Sequence, residues 1–278
     1  MRLALGSMPD KAKLKRKIGR EAGKLGMNLL GVAGVGRWEK YGETDRAFFP
    51  TSIWPWSRTV IVMGTQIFLP MLETTPSVVY SELYNTTNRI LDEAACRIAN
   101  FLNTLGCRAF YFPRDGYGDI SVLVEKPEAA FSHVLAGKYA GLGTIGFNHT
   151  LLTPEYGPRV RLVSVITDAD LAPDRVVKKD LCINCGLCKK NCPVSAFTEN
   201  PDAPIADMDK NRCALYHQRL KDELRYPCGV CTKVCPVGLD RKIYGNSSVT
   251  PEGIAHCQSF GSKNAVKGNS RRPKSTPN

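Results

Sequence analysis

Apolar positions near the start of the chain recur at helical spacing: Leu14, Ile18, Ala22 and Leu25 stand three or four residues apart among lysines and arginines. That period predicts an amphipathic helix over residues 9–25. Apolar, β-branched runs at residues 27–35 and 58–66 are each bounded by Gly or Pro, and both predict buried strands. Residues 77–105 return to the helical period through Leu83, Ile90, Leu91, Ala94, Ala95, Ile98 and Leu102, and the pattern stops at Gly106. Residues 107–112 predict another strand, 128–139 a helix and 159–167 a further strand. Elements mixed in this order predict an α+β fold with an α/β sheet domain over residues 8–171. Met8 is taken as its start because Gly6-Ser7 reads as a foreign scar. Residues 172–179 form a short, charged, Pro-containing link into a second domain, 172–260. The basic stretch 261–278 has almost nothing to bury and is expected to be a disordered tail.

Composition narrows the class. At 278 residues, with 43% apolar and 23% charged, the chain fits an ordinary globular protein of one large and one smaller domain. No run approaches the roughly 18 apolar residues of a membrane span, and no signal peptide is read at the N-terminus, so a cytoplasmic location is expected. The formal net charge of +12 describes either a solvated basic surface or one that attracts an acidic partner, such as tRNA or a flavodoxin.

Eleven cysteines in a reducing compartment are metal ligands before they are disulfides. Eight of them fall into two half-motifs. The first is Cys182-x2-Cys185-x2-Cys188-x3-Cys192-Pro193, the run of bacterial two-cluster ferredoxins. In that run the fourth cysteine ligates the other cluster, and Pro193 is expected to open a helix. The second half is Cys213-x14-Cys228-x2-Cys231-x3-Cys235-Pro236. Crossed ligation groups Cys182, Cys185, Cys188 and Cys235 around one [4Fe-4S] cluster, and Cys192, Cys213, Cys228 and Cys231 around the other. Two zinc sites are the weaker reading, since zinc needs no Cys-Pro endings and often recruits His. The spacer after Cys213 departs from a compact ferredoxin and predicts a helix over residues 214–224. Cys96, Cys107 and Cys257 lie outside the pattern and read as core or incidental thiols.

Gly141-Leu142-Gly143-Thr144-Ile145-Gly146 matches G-x-G-x-x-G, with Asp168 further on. A dinucleotide site requires a strand before the glycines and a helix after them. Here a helical pattern precedes them and an extended or turn stretch, 148–154, follows. The glycines therefore either let backbone approach a large flat cofactor or simply make a tight turn.

The segment AGLGTIGFNHTLLTPEYGPRVRLVSVITDADL, the CxxCxxCxxxCP run, Arg212-Cys213 with its spacer and CGVCTKVCP occur in one order. Together they resemble epoxyqueuosine reductase, a cobalamin-dependent family related to the reductive dehalogenases. The resemblance implies a nitroreductase-like α/β domain holding cobalamin, followed by a ferredoxin-like domain with two [4Fe-4S] clusters that deliver electrons to cobalt. It marks Gly141, Leu142, Gly143, Ile145, Gly146, Asn148 and Thr153 as candidate cofactor contacts. In the family an aspartate proposed as proton donor lies about fourteen residues before the first glycine, where Pro127 stands here. Glu128 and His133, expected on one helix, are the candidate catalytic replacements. A low-potential ferredoxin or flavodoxin is the expected electron donor. The chain ends soon after the second cysteine motif, without the helical repeats that carry longer epoxyqueuosine reductases toward tRNA, so tRNA stands as a secondary expectation. The leading expectation is a corrinoid-dependent iron-sulfur reductase. Its rivals are an electron-transfer or corrinoid-reactivating protein without substrate chemistry, and a variant that binds FMN.

Overall fold

The computed structural model describes residues 10–200, 205–244 and 250–260. The basic segment 261–278 and the start at Met8 lie outside them. Helix α1 (Lys11–Lys24) leads into strand β1 (Leu29–Gly34), then β2 (Thr59–Gln66) and the long helix α2 (Val78–Thr104). Strand β3 (Ala109–Phe112), helix α3 (His133–Tyr139), the two-residue strands β4 (Thr144–Ile145) and β5 (Leu151–Leu152), and β6 (Val160–Thr167) complete the first half. The main sheet is antiparallel throughout, in the order β1-β2-β6-β3.

Both faces of the central strands are covered, which explains why residues 58–66 read as a continuous apolar run instead of an alternation. Ile61, Met63, Val163 and Val165 face one core with Leu14, Ile18 and Ala22 of α1 and Leu91, Ala94, Ile98 and Leu102 of α2. Val60, Val62, Leu162 and Ile166 face the other with Trp38, Leu135, Ala136 and Tyr139. Ser77 caps α2 by accepting the Tyr80 backbone N–H at 3.1 Å, and the helix ends before Gly106, whose φ of +83° a residue with a side chain adopts only under strain.

The link beyond Leu171 runs along the free edge of β1. Asp174 donates its N–H to the Val32 carbonyl at 2.8 Å and accepts the Val32 N–H on its carboxylate at 3.0 Å, while Lys15 pairs with the same carboxylate at 2.7 Å. The edge is thereby closed to other chains. Beyond the link, the structure has the four-residue helix α4 (Leu187–Lys190), the pair β7 (Phe197–Thr198) and β8 (Asp207–Met208), helix α5 (Lys210–Asp222) and the four-residue helix α6 (Val230–Lys233). Among the described residues no helix is long and apolar enough to cross a membrane.

Two local expectations are corrected. The helix expected from residue 128 begins only at His133, because the Ser132 hydroxyl caps the Leu135 N–H at 3.2 Å. Phe131 is withdrawn into the core, stacked on Phe112 at 4.8 Å, so Glu128 lies in a loop and shares no helix with His133. Pro193 opens a turn and not a helix. The Ala196 N–H reaches back to the Cys192 Sγ at 3.3 Å and the Ser195 N–H to the Cys192 carbonyl at 3.1 Å.

Leu91 is fully buried between α2 and the sheet. Leu91→Ala is expected to cost about 2–5 kcal/mol in unfolding free energy, the lost transfer term plus the cavity left behind. Denaturant unfolding checks this, and a loss below about 1 kcal/mol would show that the α2 contact is not a principal core contact.

Candidate functional site

The two half-motifs repeat one local device. Gly186 follows Cys185 with φ +71° and starts α4, which carries Cys188; Gly229 follows Cys228 with φ +67° and starts α6, which carries Cys231. The left-handed glycine turns the chain sharply enough for cysteines three residues apart to face one space. Cys182, Cys185, Cys188 and Cys235 line one small cavity. Cys192, Cys213, Cys228 and Cys231 line another, far larger one. Each cavity is therefore lined by cysteines of both half-motifs. Among the described residues no three His, Cys, Asp or Glu side chains close on a point as ligands of a single ion would.

Burial makes these thiols poor acids on their own. It pushes Cys213 and Cys231 up to about 12 and Cys228 up to about 11, with neighbouring cysteines of the same group adding to each shift. Burial likewise raises Cys188 and Cys235, and the neighbouring Cys182 and Cys185 add to both shifts. Thiolates so crowded persist only when a cation compensates them. The donor set therefore fits iron-sulfur clusters in both spaces.

The sheet domain holds the cysteine module by its backbone carbonyls. Thr75 Oγ1 donates to the Cys228 carbonyl, Asn148 Nδ2 to that of Cys231 at 3.3 Å, and Arg159 Nη1 to that of Cys235 at 3.0 Å. Leu181 N–H donates to Thr144 Oγ1 at 3.0 Å.

The larger cavity measures about 770 Å³, within the range of cofactor sites. One wall is the second cysteine group. Another is a polar network that motif reasoning missed. Arg161 donates to Asp115 at 2.8 Å and to Asn88 at 3.0 and 3.1 Å, and its guanidinium lies 4.3 Å from the Tyr84 ring centre. Tyr84 donates to Asp115 at 3.0 Å; the Tyr226 hydroxyl lies 3.4 Å from that of Tyr84 and 3.0 Å from that of Tyr117. Although burial opposes it, the Arg161 charge and hydrogen bonds from Arg161 and Tyr84 hold Asp115 below the usual carboxylate range. Burial and the surrounding hydroxyls push Tyr117 and Tyr226 far up, so both keep their protons. The network's only local traces in the sequence are an arginine within an apolar strand and Tyr80 and Tyr84 one turn apart on α2, and neither marks a site by itself.

The other expected residues divide. Glu128, His133 and Asn148 line the cavity. Glu128 is half-exposed and paired with Lys126 at 3.1 Å. His133 spends both ring nitrogens: Nε2 lies 2.8 Å from the Pro113 carbonyl, which can only accept, so Nδ1 accepts from the Ser164 hydroxyl at 2.9 Å. Desolvation lowers it to about 4, and the ring is neutral at pH 7 with no proton free for the cavity. Gly141, Leu142, Gly143, Ile145, Gly146 and Thr153 do not line the cavity. A Cβ on Gly141 would stand 2.2 Å from the Arg175 carbonyl oxygen, and one on Gly143 would stand 1.8 Å from that of Leu152. These glycines seat the interdomain link and the β4–β5 hairpin, the tight-turn alternative. Thr153 is buried and accepts the Tyr156 N–H at 3.1 Å.

Residues 181–239 match the family model of the 4Fe-4S dicluster domain. A tetrachloroethene reductive dehalogenase of Desulfitobacterium hafniense is 31% identical over 198 residues, covering 64% of this chain and 31% of that protein. An epoxyqueuosine reductase of Listeria monocytogenes is 36% identical over 93 residues, covering 34% of this chain and 23% of that protein. The chain thus spans about a third or less of these relatives' length. A solved reductive dehalogenase, described for B12-dependent dehalogenation, shares the fold with a TM-score of 0.62 at 20% identity, over 94% of this chain and 39% of that one.

A pH dependence follows from His133 and His217, both lowered to about 4 by desolvation. The unfolded chain takes up protons that the folded chain refuses. The stability from keeping these rings neutral is complete above the ordinary value of 6.5 and is lost as pH falls toward about 4. His133→Gln is expected to flatten the fall in Tm between about pH 7 and pH 5; an unchanged slope would show that His133 is charged in the fold.

Proposed function

This chain is a relative of the epoxyqueuosine reductases and reductive dehalogenases, and from that premise we propose a corrinoid-dependent iron-sulfur reductase with two [4Fe-4S] clusters and cobalamin in the 770 Å³ cavity. One observation carries the reading: the second cysteine group and the tyrosine network open onto the same space. Cys182, Cys185, Cys188 and Cys235 would hold the outer cluster, next to the exposed Cys185 edge. Cys192, Cys213, Cys228 and Cys231 would hold the inner one, at the cavity wall. A low-potential donor of the ferredoxin or flavodoxin kind would dock on the Cys185 side, and the clusters would supply one-electron transfer between it and the cavity. When bound, cobalamin supplies a cobalt centre that accepts electrons singly and reduces a carbon centre of the substrate.

The chain's own residues supply position and protons. Tyr226 Oη keeps its proton because burial raises it, and it faces the cavity beside the inner cysteines. A proton given to substrate from Tyr226 Oη would be replaced through Tyr117 Oη, 3.0 Å away, because the Tyr84 hydroxyl proton is committed to the Asp115 carboxylate. Asp115 and Arg161 fix the Tyr84 ring and its hydrogen-bond direction. Glu128 stands at the solvent-exposed part of the lining, paired with Lys126. His133 orients the wall through Ser164 and Pro113. The aromatic lining, including Trp38, Phe48, Tyr80 and Phe131, excludes water from the reacting groups.

The nitroreductase-like description of the sheet domain, the bounds 8–171 and 172–260, and tRNA as a partner rest on the sequence resemblance and belong to this proposal. The B12 dependence described for the similar dehalogenase favours corrinoid over FMN. The tyrosine network favours an enzyme over a pure electron carrier, which needs no proton supply at its cofactor.

Anaerobically prepared protein is expected to hold about eight iron atoms and about one corrinoid per chain. Cys213→Ser should lower the iron by about half while the outer cluster persists. Zinc in place of iron, or failure to take up any corrinoid, overturns the proposal. Tyr226→Phe should leave both cofactors in place and slow reduction of organohalide or epoxide probes about 10²–10⁴-fold; an unchanged rate would remove Tyr226 as donor.

A further inference from the structure

Arg159 is wholly buried at the start of β6, and its charge is met by one carboxylate. Its Nε donates to Asp240 Oδ2 at 2.6 Å and its Nη2 to Asp240 Oδ1 at 2.7 Å. The rest of the fork goes to backbone: Nη1 to the Cys235 carbonyl at 3.0 Å and Nη2 to the Val237 carbonyl at 2.5 Å. Asp240 is 2% exposed and also accepts its neighbour Arg241's N–H at 3.0 Å.

Backbones approach closely at this junction. A Cβ on Gly157 would stand 1.9 Å from the Val237 carbonyl oxygen, and one on Gly238 2.5 Å from the Gly157 nitrogen. Leu239 N–H donates to the Pro154 carbonyl at 3.1 Å and Asp240 N–H to that of Glu155 at 3.0 Å. The loop before β6 and the segment carrying Cys235 therefore lie in backbone contact, with a full ion pair inside.

Such a pair is a poor choice for stability alone, since desolvating both charges offsets most of their attraction. Its placement is more informative. Cys235 is the one ligand that crosses from the second half-motif to complete the outer group, and the guanidinium holds its carbonyl. We infer that the Arg159–Asp240 pair positions Cys235 and, through its balanced charge, sets the reduction potential of the outer cluster. The inference rests on the reading of that cysteine group as a [4Fe-4S] site.

The sign is fixed by electrostatics in a low-dielectric setting. Reduction adds one negative charge to the cluster, so an uncompensated cation nearby raises the potential and an uncompensated anion lowers it. Arg241 and Lys233 stand nearby and are half-buried against Glu73, and they remain in every variant below.

The test is an anaerobic redox titration of the full chain followed by EPR, with the inner cluster as internal reference. Asp240→Asn is expected to raise the outer potential and Arg159→Gln to lower it. The double variant should return toward wild type, and the inner cluster should move less throughout. Arg159→Lys, which keeps the charge, should stay near the wild-type potential even if Asp240→Asn fails to hold its cluster. Shifts in the same direction for the two single variants, no shift in either, or an Arg159→Lys shift as large as that of Arg159→Gln overturns the inference. Wild-type protein without an outer-cluster signal would instead refute the cluster reading itself, a separate result.

Discussion

Each of the two cysteine-lined spaces draws on both half-motifs. Cys192 lines the space shared with Cys213, Cys228 and Cys231, and Cys235 lines the one shared with Cys182, Cys185 and Cys188. This exchange holds residues 213–235 against residues 182–192 at the cavity. Helix α5 carries Cys213 and is held against the sheet domain where Asn211 Nδ2 donates to the Val124 carbonyl at 2.6 Å. That placement brings Tyr216, His217 and Tyr226 to the cavity wall. The long spacer, which departs from a compact ferredoxin, thus builds part of the candidate active site.

The sheet domain is the seat for this module. Thr75, Asn148 and Arg159 each hold the carbonyl of a different cysteine, in a region where an unpaired carbonyl would be costly. The three come from different places in the chain: the stretch before α2, the turn before β5, and the start of β6. The glycine-rich segment serves the same end. It lets the interdomain link and the β4–β5 hairpin approach at backbone distance, and the cavity wall is built from other residues.

What could be read from the sequence depended on how local the signal was. The dicluster domain was legible because the tight spacings Cys182–Cys185–Cys188 and Cys228–Cys231 are fixed by short turns, and the buried strands because both faces of β2 and β6 are covered. The helix over residues 128–139 was read too long, since a loop whose Phe131 enters the core has the same apolar spacing as a helical turn. The network of Tyr84, Asp115, Arg161 and Tyr226 was not legible as a site. Its contacts span separations of 31, 46 and 142 residues, and only the sheet register and the crossing of the cysteine module bring them together. His133 was read as a candidate general acid, and its saturation was not legible because its partners Pro113 and Ser164 lie elsewhere in the chain.

The central claim is that the inner cluster and the corrinoid share one cavity wall. Power-saturation EPR on the reduced, cobalamin-loaded protein tests it most directly. The account predicts a cobalt(II) signal whose relaxation is accelerated by the adjacent paramagnetic cluster and returns to its isolated rate in Cys213→Ser. A cobalt(II) signal that saturates alike in both proteins would contradict it.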